Sequence, residues 1–216
     1  MDEYPSYRKT NTPRMSDWEA ERRFFGRFYL SQGFTPDKRS TNDCGPASLA
    51  MAINLLAFQV NPGTQPVDLR TLIQISGFNL LDRLPGWILK AGGATAPWGM
   101  VRAFNRWAEK SKLEWRAERR SHTRRAHLLE ALMAGRPVTA LKIWPSGGAH
   151  WVNLVRFSGE KERIYYLDPN PYLGYLPESK RLQSQPWIEF EQDWSRQCWW
   201  SQLLGIRNEL IIYSRN

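Results

Sequence analysis

Cysteine is scarce in this sequence, and long apolar runs are missing. The two cysteines among 216 residues, Cys44 and Cys198, are too few for a disulfide-rich scaffold or for a zinc site built from four thiolates. No apolar run reaches the roughly 18–20 residues of a membrane-spanning helix, so we predict no membrane span. The N-terminal segment lacks the apolar core of a signal peptide. We therefore expect a cytoplasmic protein, or one exported without a cleavable signal peptide.

Motifs for nucleic acids and metals are also missing. We find no zinc-finger, ribonucleoprotein or phosphate-loop pattern, and His122 and His127 are poorly spaced to hold one metal ion. We therefore predict no metal and no cofactor, and we do not favour a nucleic-acid partner, although 30 basic residues against 21 acidic ones give a net charge of +9.

Basic residues cluster at Arg22, Arg23 and Arg27, and again in a second segment, which we call the arginine cluster. It surrounds a single acidic residue, Glu118, and its members are Arg116, Arg119, Arg120, Arg124 and Arg125. A solvated surface is the plainest interpretation of such a charge run, and an anionic partner (nucleic acid, acidic lipid or an acidic protein) is the alternative.

What the chain does contain is enough apolar sequence, 42%, for one folded domain. Residues 1–16 are polar with two prolines and are predicted to form a flexible N-terminal arm, which leaves 17–216 as a single domain. Helical patterns precede strand patterns, so we predict the α+β class. Helices are expected at 18–29, 45–58, 66–77, 97–110 and 127–134, and strands at 113–118, 137–144, 150–157, 164–167 and 209–213.

Cys44 lies at the start of the most apolar of these helices, in the sequence NDCGPASLAMAINLL. Residues 45–58 are apolar on nearly all sides, which predicts a helix buried in the middle of the domain. Backbone N–H groups and the positive end of the helix dipole favour a thiolate at its N-terminus. Cys44 is thus a candidate nucleophile, whereas Cys198 is interpreted as a packing residue.

His150 and Asp168 belong to two consecutive predicted strands, in GGAHWVNLV and YYLDPNP. A hairpin register that pairs position 150 with 166, 168 or 170 places both side chains on one face of the sheet, and a register slipped by one residue separates them. On one face, the carboxylate can orient the imidazole, and the imidazole can activate a thiol. Trp151 is then a candidate to cover the hydrogen bond, with Trp144 lining the cleft.

These three motifs together resemble the C39-like branch of the papain-like cysteine peptidases. The resemblance implies a papain-like fold, in which Cys44 begins a buried central helix packed on an antiparallel sheet that carries His150 and Asp168. It covers roughly residues 32–171 and includes the passage ALMAGRPVTALKI before the histidine. It implies a Cys-His-Asp triad that needs no cofactor.

The family usually has an oxyanion-stabilising glutamine a few residues before the cysteine, and here Lys38 and Arg39 occupy that neighbourhood. Gln32 lies farther back in the chain and Asn42 lies very close to Cys44. We favour Gln32 over Asn42, because a longer loop can still bring its amide to the oxyanion.

The resemblance implies a cysteine peptidase that hydrolyses a peptide or related amide bond in a peptide or protein substrate. The same triad serves deamidases and acyltransferases. A non-catalytic papain-like module that binds an acidic partner through its basic surface is the alternative from a different class. Gly147 and Gly148 leave room for an extended peptide, while Lys38 and Arg39 predict a cationic rim.

Overall fold

The computed structural model describes residues 15–33, 42–77, 83–84 and 94–215. Fourteen residues of the predicted arm, together with Lys38 and Arg39, lie outside these ranges. The helices within them are α1 (Met15–Gly26), α2 (Cys44–Val60), α3 (Leu69–Ser76), α4 (Pro97–Lys110), α5 (Arg125–Met133), α6 (Glu178–Arg181), α7 (Trp187–Ser195) and α8 (Trp199–Leu203). The strands are β1 (Arg83–Leu84), β2 (Ala94–Thr95), β3 (Trp115–Arg120), β4 (Val138–Ile143), β5 (Ala149–Ser158), β6 (Arg163–Leu167), β7 (Leu182–Pro186) and β8 (Leu210–Arg215).

Helix α2 is the buried central helix. Every residue from Cys44 to Leu56 is buried, because the sequence offers no polar side on which the helix could face water. The predicted helix over 45–58 is therefore confirmed, with its start moved back to the cysteine itself. Pro46 lies in the first turn, where the missing N–H group costs no intrahelical hydrogen bond.

A six-stranded antiparallel sheet, counted over the described residues, forms the second half of the fold. Its strand order is β3-β8-β4-β5-β6-β7. Alternate residues face opposite sides, as in any strand: Leu141 and Trp151 join the core around α2 and α4, while Ala140 and Val152 join the core around α5 and α7. Helices pack on both faces of the sheet, and its wholly antiparallel pairing confirms the predicted α+β class.

The region between β6 and β8 contains elements that the sequence analysis did not predict. Strand β7 extends the sheet beyond β6, and α7 packs through Trp187, Phe190 and Trp194 against the face that also carries Val152. These elements are short and rich in polar residues, so hydrophobic periodicity is weak in them. No helix in the described part of the chain is long and apolar enough to cross a membrane.

Candidate active site

Cys44 is the first residue of α2 and is buried, with 5% of its surface exposed. Its neighbour Gly45 permits a close approach to Thr95, since a Cβ atom at position 45 would lie 2.4 Å from the Thr95 Cβ. The side chain of the N-cap residue, Asp43, makes no capping hydrogen bond. The first turn of α2 therefore lies tightly against β2, and the positive end of the helix dipole at Cys44 favours negative charge.

Buried hydrogen bonds fix α2 on β5 one turn after the cysteine. The Ser48 hydroxyl donates to the Trp151 carbonyl at 3.0 Å, and the Asn153 amide donates to the Ser48 carbonyl. These bonds are inaccessible to water, so breaking one leaves a buried polar group unpaired. They hold the Cys44 end of α2 beside the beginning of β5, where His150 lies.

His150 and Asp168 are in direct contact across the β5–β6 hairpin. His150 Nε2 lies 2.7 Å from Asp168 Oδ1, and the Asn170 N–H donates to the same carboxylate oxygen at 2.8 Å. The two side chains are 12% and 21% exposed. Because Nε2 is engaged by the carboxylate, Nδ1 is the ring nitrogen left for a thiol partner.

The register that joins these residues depends on an irregularity in β5. Near the hairpin turn Arg156 pairs with Tyr165, but the register shifts before Leu154 pairs with Tyr166. Continuing the second register pairs position 150 with 170, one of the arrangements that place both side chains on one face. Continuing the first register would place Asp168 opposite Asn153, whose side chain points to the α2 face.

Electrostatic coupling within this group is strong. Burial opposes protonation of His150, but the hydrogen bonds to Asp168 and Cys44 outweigh it and raise the His150 pKa to about 10. Burial likewise raises the pKa of Asp168, and the interaction with His150 reverses that effect and lowers it overall. The pair is therefore an imidazolium and a carboxylate near neutral pH, with the cysteine next to the imidazolium.

Trp144, and not Trp151, covers the histidine. The Trp144 and His150 rings are stacked, with centroids 5.4 Å apart and planes at 19°. Trp151 is wholly buried on the α2 face and donates its indole N–H to the Thr95 carbonyl at 2.9 Å. The prediction for Trp151 was wrong because successive strand residues point to opposite faces, whereas Trp144 reaches the histidine from the preceding turn.

Gly147 and Gly148 shape that turn. The Trp144 N–H donates to the Gly148 carbonyl at 2.8 Å, and the Gly147 N–H donates back to the Trp144 carbonyl at 2.9 Å. Gly147 has a φ of +83°, which favours glycine. A Cβ atom at position 148 would lie 2.8 Å from the Trp144 ring, so the glycine keeps the indole stacked on His150.

Gln32 lies beside the aspartate, and Asn42 is directed to the surface. Gln32 is buried, and its N–H donates to the carbonyl of Pro169, the residue after Asp168, at 2.9 Å. Asn42 is exposed. The structure thus places the preferred oxyanion candidate in the neighbourhood of Asp168, whereas Lys38 and Arg39 of the predicted cationic rim lie outside the described residues.

The remaining predicted residues lie apart from this group. Cys198 is half-buried and caps α8, with its N–H bonded to the Ser201 hydroxyl at 2.9 Å. His122 has a left-handed backbone in the loop after β3, and His127 is exposed on α5. Among the described residues no cluster of histidine, cysteine and acidic side chains could hold a metal ion.

The arginine cluster is largely neutralised by acidic residues that are distant in sequence or adjacent on the strand. Three of its five members make ion pairs, so the folded surface carries less free positive charge than the sequence indicates. The pairs are Arg119–Glu209, Arg120–Glu118 and Arg125–Glu162. This arrangement agrees with a solvated surface and gives no support to an acidic partner.

Sequence reasoning missed one charged residue close to the pair. Lys142 lies in β4 directly opposite His150 and is buried. A lysine inside the otherwise apolar segment VTALKI was the available clue, because a buried strand rarely accommodates an ammonium group unless it is paired.

Comparison with known proteins identifies related sequences and folds. The model of the Peptidase_C39 like family matches residues 28–197. The peptidase domain of Streptococcus ComA, a bi-functional ABC transporter involved in a quorum-sensing pathway, is 15% identical with a TM-score of 0.52, covering 88% of this chain and 99% of that one. A putative C39-like peptidase from Bacillus anthracis is 16% identical with a TM-score of 0.53, covering 87% and 94%. No curated protein matches the sequence. The solved structures establish likeness of fold, and the family match covers most of the chain.

Proposed function

The chain belongs to the Peptidase_C39 like family, and from this premise we propose that it is a cysteine hydrolase that cleaves a peptide or related amide bond. In this proposal Cys44 is the nucleophile, His150 the general acid and base, and Asp168 the group that orients His150. The observation that carries it is the 2.7 Å contact between His150 Nε2 and Asp168 Oδ1 beside a buried cysteine at the start of α2.

Acylation begins from a thiolate and imidazolium pair, in which the Cys44 thiol proton has already passed to His150 Nδ1. The high pKa of His150, about 10, favours the resulting imidazolium, and the N-terminus of α2 favours the thiolate. The sulfur attacks the carbonyl carbon of the scissile bond. His150 then gives its proton to the departing amine nitrogen, and the acyl group remains on sulfur as a thioester.

Deacylation reverses the proton path. Neutral His150 removes a proton from a water molecule as the oxygen attacks the thioester carbonyl. The carbon–sulfur bond breaks, the acid product leaves and Cys44 is restored. Throughout, the carboxylate of Asp168 holds the ring through Nε2, so that Nδ1 always faces the reacting atoms.

The oxyanion formed in both steps is assigned to two donors, the Cys44 backbone N–H and the Gln32 side-chain amide. The Cys44 N–H belongs to the first turn of α2 and has no intrahelical acceptor. The burial of Gln32 and its backbone bond to Pro169 support its assignment. Loss of one such donor costs about 10²–10³ in turnover.

Labelling of the two cysteines with iodoacetamide tests the proposal, because Cys198 serves as an internal control. At neutral pH, mass mapping should show Cys44 modified much faster than Cys198. In His150→Ala the Cys44 rate should collapse, while an unchanged Cys198 rate reports that the fold is intact. Equal rates for both cysteines, or a Cys44 rate that ignores His150→Ala, would contradict the proposal.

The bond that is cleaved is tested separately with a peptide library in water enriched in ¹⁸O. Hydrolysis of a peptide bond yields two shorter peptides and one ¹⁸O in the new carboxyl group. Side-chain deamidation instead leaves the peptide intact with a mass change, and acyl transfer incorporates no ¹⁸O. The Cys44→Ala variant is the blank, and a product formed equally by this variant would exclude Cys44 as its source.

A further inference from the structure

Lys142 lies on the same face of the sheet as His150, one strand away. The two residues are direct cross-strand partners in β4 and β5, and only 11% of the Lys142 side chain is exposed. Its Nζ donates to Gln185 Oε1 at 2.8 Å and lies 3.3 Å from Asp193 Oδ2. A buried ammonium group is costly unless it is paired, so these contacts fix its position.

Lys142 also contacts β6, the strand that directly precedes Asp168. Lys142 Nζ lies 5.4 Å from the centre of the Tyr166 ring, and the Tyr166 hydroxyl donates to Gln185 Oε1 at 2.9 Å. Tyr166 lies on β6 two residues before Asp168, which directly follows the strand and contacts His150 on the same face. The ammonium group therefore lies on the sheet face that carries His150 and Asp168, and it is bound there to Asp193 of α7.

We propose that Lys142 is a positioning residue whose ammonium group keeps Asp168 ionised, so that Asp168 continues to hold His150 as the pH falls. The inference rests on the proposed function and adds a fourth residue to it, one that acts through Asp168 without touching the substrate. Burial raises the pKa of Asp168, and three neighbours lower it: His150 most, then the Asn170 N–H, then the charge of Lys142.

Few other groups facing Asp168 change charge in the working range. His150 faces it from β5, and the two tyrosines, Tyr29 and Tyr166, stay neutral because burial raises the pKa of each. On α7, Asp193 is shared between Lys142 and Arg196, whose Nη2 lies 3.5 Å from the other carboxylate oxygen. Removal of Lys142 thus takes away the one cation that faces Asp168 from β4 and leaves the negative charge of Asp193 nearby.

The decisive experiment measures the rate of Cys44 alkylation by iodoacetamide as a function of pH. The acid limb is the fall in this rate at low pH. In Lys142→Met it should move to higher pH by about half a unit or more, because Asp168 then binds a proton at a higher pH and no longer supports the imidazolium. The matched control is Asp193→Asn, which breaks the ion pair between Lys142 and Asp193 but keeps the Lys142 ammonium group. Its acid limb should stay in place or move to lower pH, because a negative charge is lost.

A purely structural role, in which Lys142 only ties α7 to β4, predicts that both variants shift alike. Equal shifts, or no shift in Lys142→Met, would overturn the inference. If Lys142→Met does not fold, Lys142→Gln removes the charge and keeps a donor for Gln185, and Lys142→Arg should restore the native limb. Failure of the proposed function is distinguishable, because the native protein itself would then show no dependence of Cys44 labelling on His150.

Discussion

The two faces of the sheet meet at the candidate active site, and they are built from different interactions. On the α2 face the cysteine is positioned by neutral hydrogen bonds and close packing, through Ser48, Asn153 and the approach of Gly45 to Thr95. On the opposite face the Trp144 ring stacks on His150. Lys142 lies directly opposite His150 on β4, and its charge lowers the pKa of Asp168.

The interactions of the α2 face therefore fix the position of Cys44, whereas those of the opposite face set the charges of His150 and Asp168. Neutral buried hydrogen bonds stabilise the fold equally at every pH, whereas an ion pair contributes only while both groups are charged. Damage to the α2 face should therefore reduce stability independently of pH. Damage to the other face should reduce turnover most and should change stability only over a limited pH range.

Asp168→Asn should have the largest effect. We expect turnover to fall by about 10³–10⁴, because the imidazole loses the group that holds its orientation. The alkaline limit of activity should also move down from about 10, the His150 pKa that Asp168 helps to raise. Measurement of kcat against pH checks both outcomes.

The same variant tests the pH dependence of stability. The His150 pKa is raised, so its contribution is full below the unfolded value of about 6.5 and is lost as the pH rises through about 10. The Asp168 pKa is lowered from 3.8, so its contribution is lost in acid. The difference in Tm between native protein and Asp168→Asn should be largest near pH 5–6 and nearly vanish near pH 10. A constant difference would contradict the ion pair.

Asn153→Ala should have the next largest effect, this time on stability. It removes the amide that bonds to the Ser48 carbonyl and the oxygen that accepts from Thr139, and the Thr139 hydroxyl then keeps only its bond to Tyr213. We expect a loss of about 2 kcal/mol in the free energy of unfolding. Urea denaturation at pH 6 and pH 9 should give the same loss at both values. A loss that depends on pH would show that the α2 face is not electrostatically independent.

Gly148→Ala should have the smallest effect and should fall on activity alone. The added Cβ would lie 2.8 Å from the Trp144 ring, so the indole must shift away from His150, with an expected loss of about tenfold in kcat. Tm should barely change, since Trp144 is partly exposed. In a Trp144→Leu background the same substitution should have little further effect. An equal loss in both backgrounds would show that the turn itself, and not the stacked ring, is responsible.

Much of the site could be predicted from local sequence because its residues lie at the ends of regular elements. An apolar helix that begins at Cys44 and a strand that ends at Asp168 are visible without any long-range contact, and the three motifs together led to the family. The expectations for Trp144 and Trp151 show where local reasoning fails. Adjacency in sequence favoured Trp151 as the residue that covers His150. Strand alternation instead directs the Trp151 ring into the core, and the Trp144 ring stacks on His150.

Local sequence is enough to predict that a cysteine begins a buried helix and that a histidine and an aspartate belong to two neighbouring strand segments. These features depend on apolar periodicity and on turn residues, which act over a few positions. Whether the two side chains share a face depends on the folded sheet, because a single irregularity between Leu154 and Arg156 shifts the register. The tertiary structure alone also joined Lys142 to Asp193, 51 positions apart, since pairing of a buried charge depends on which elements pack together and not on which residues are adjacent.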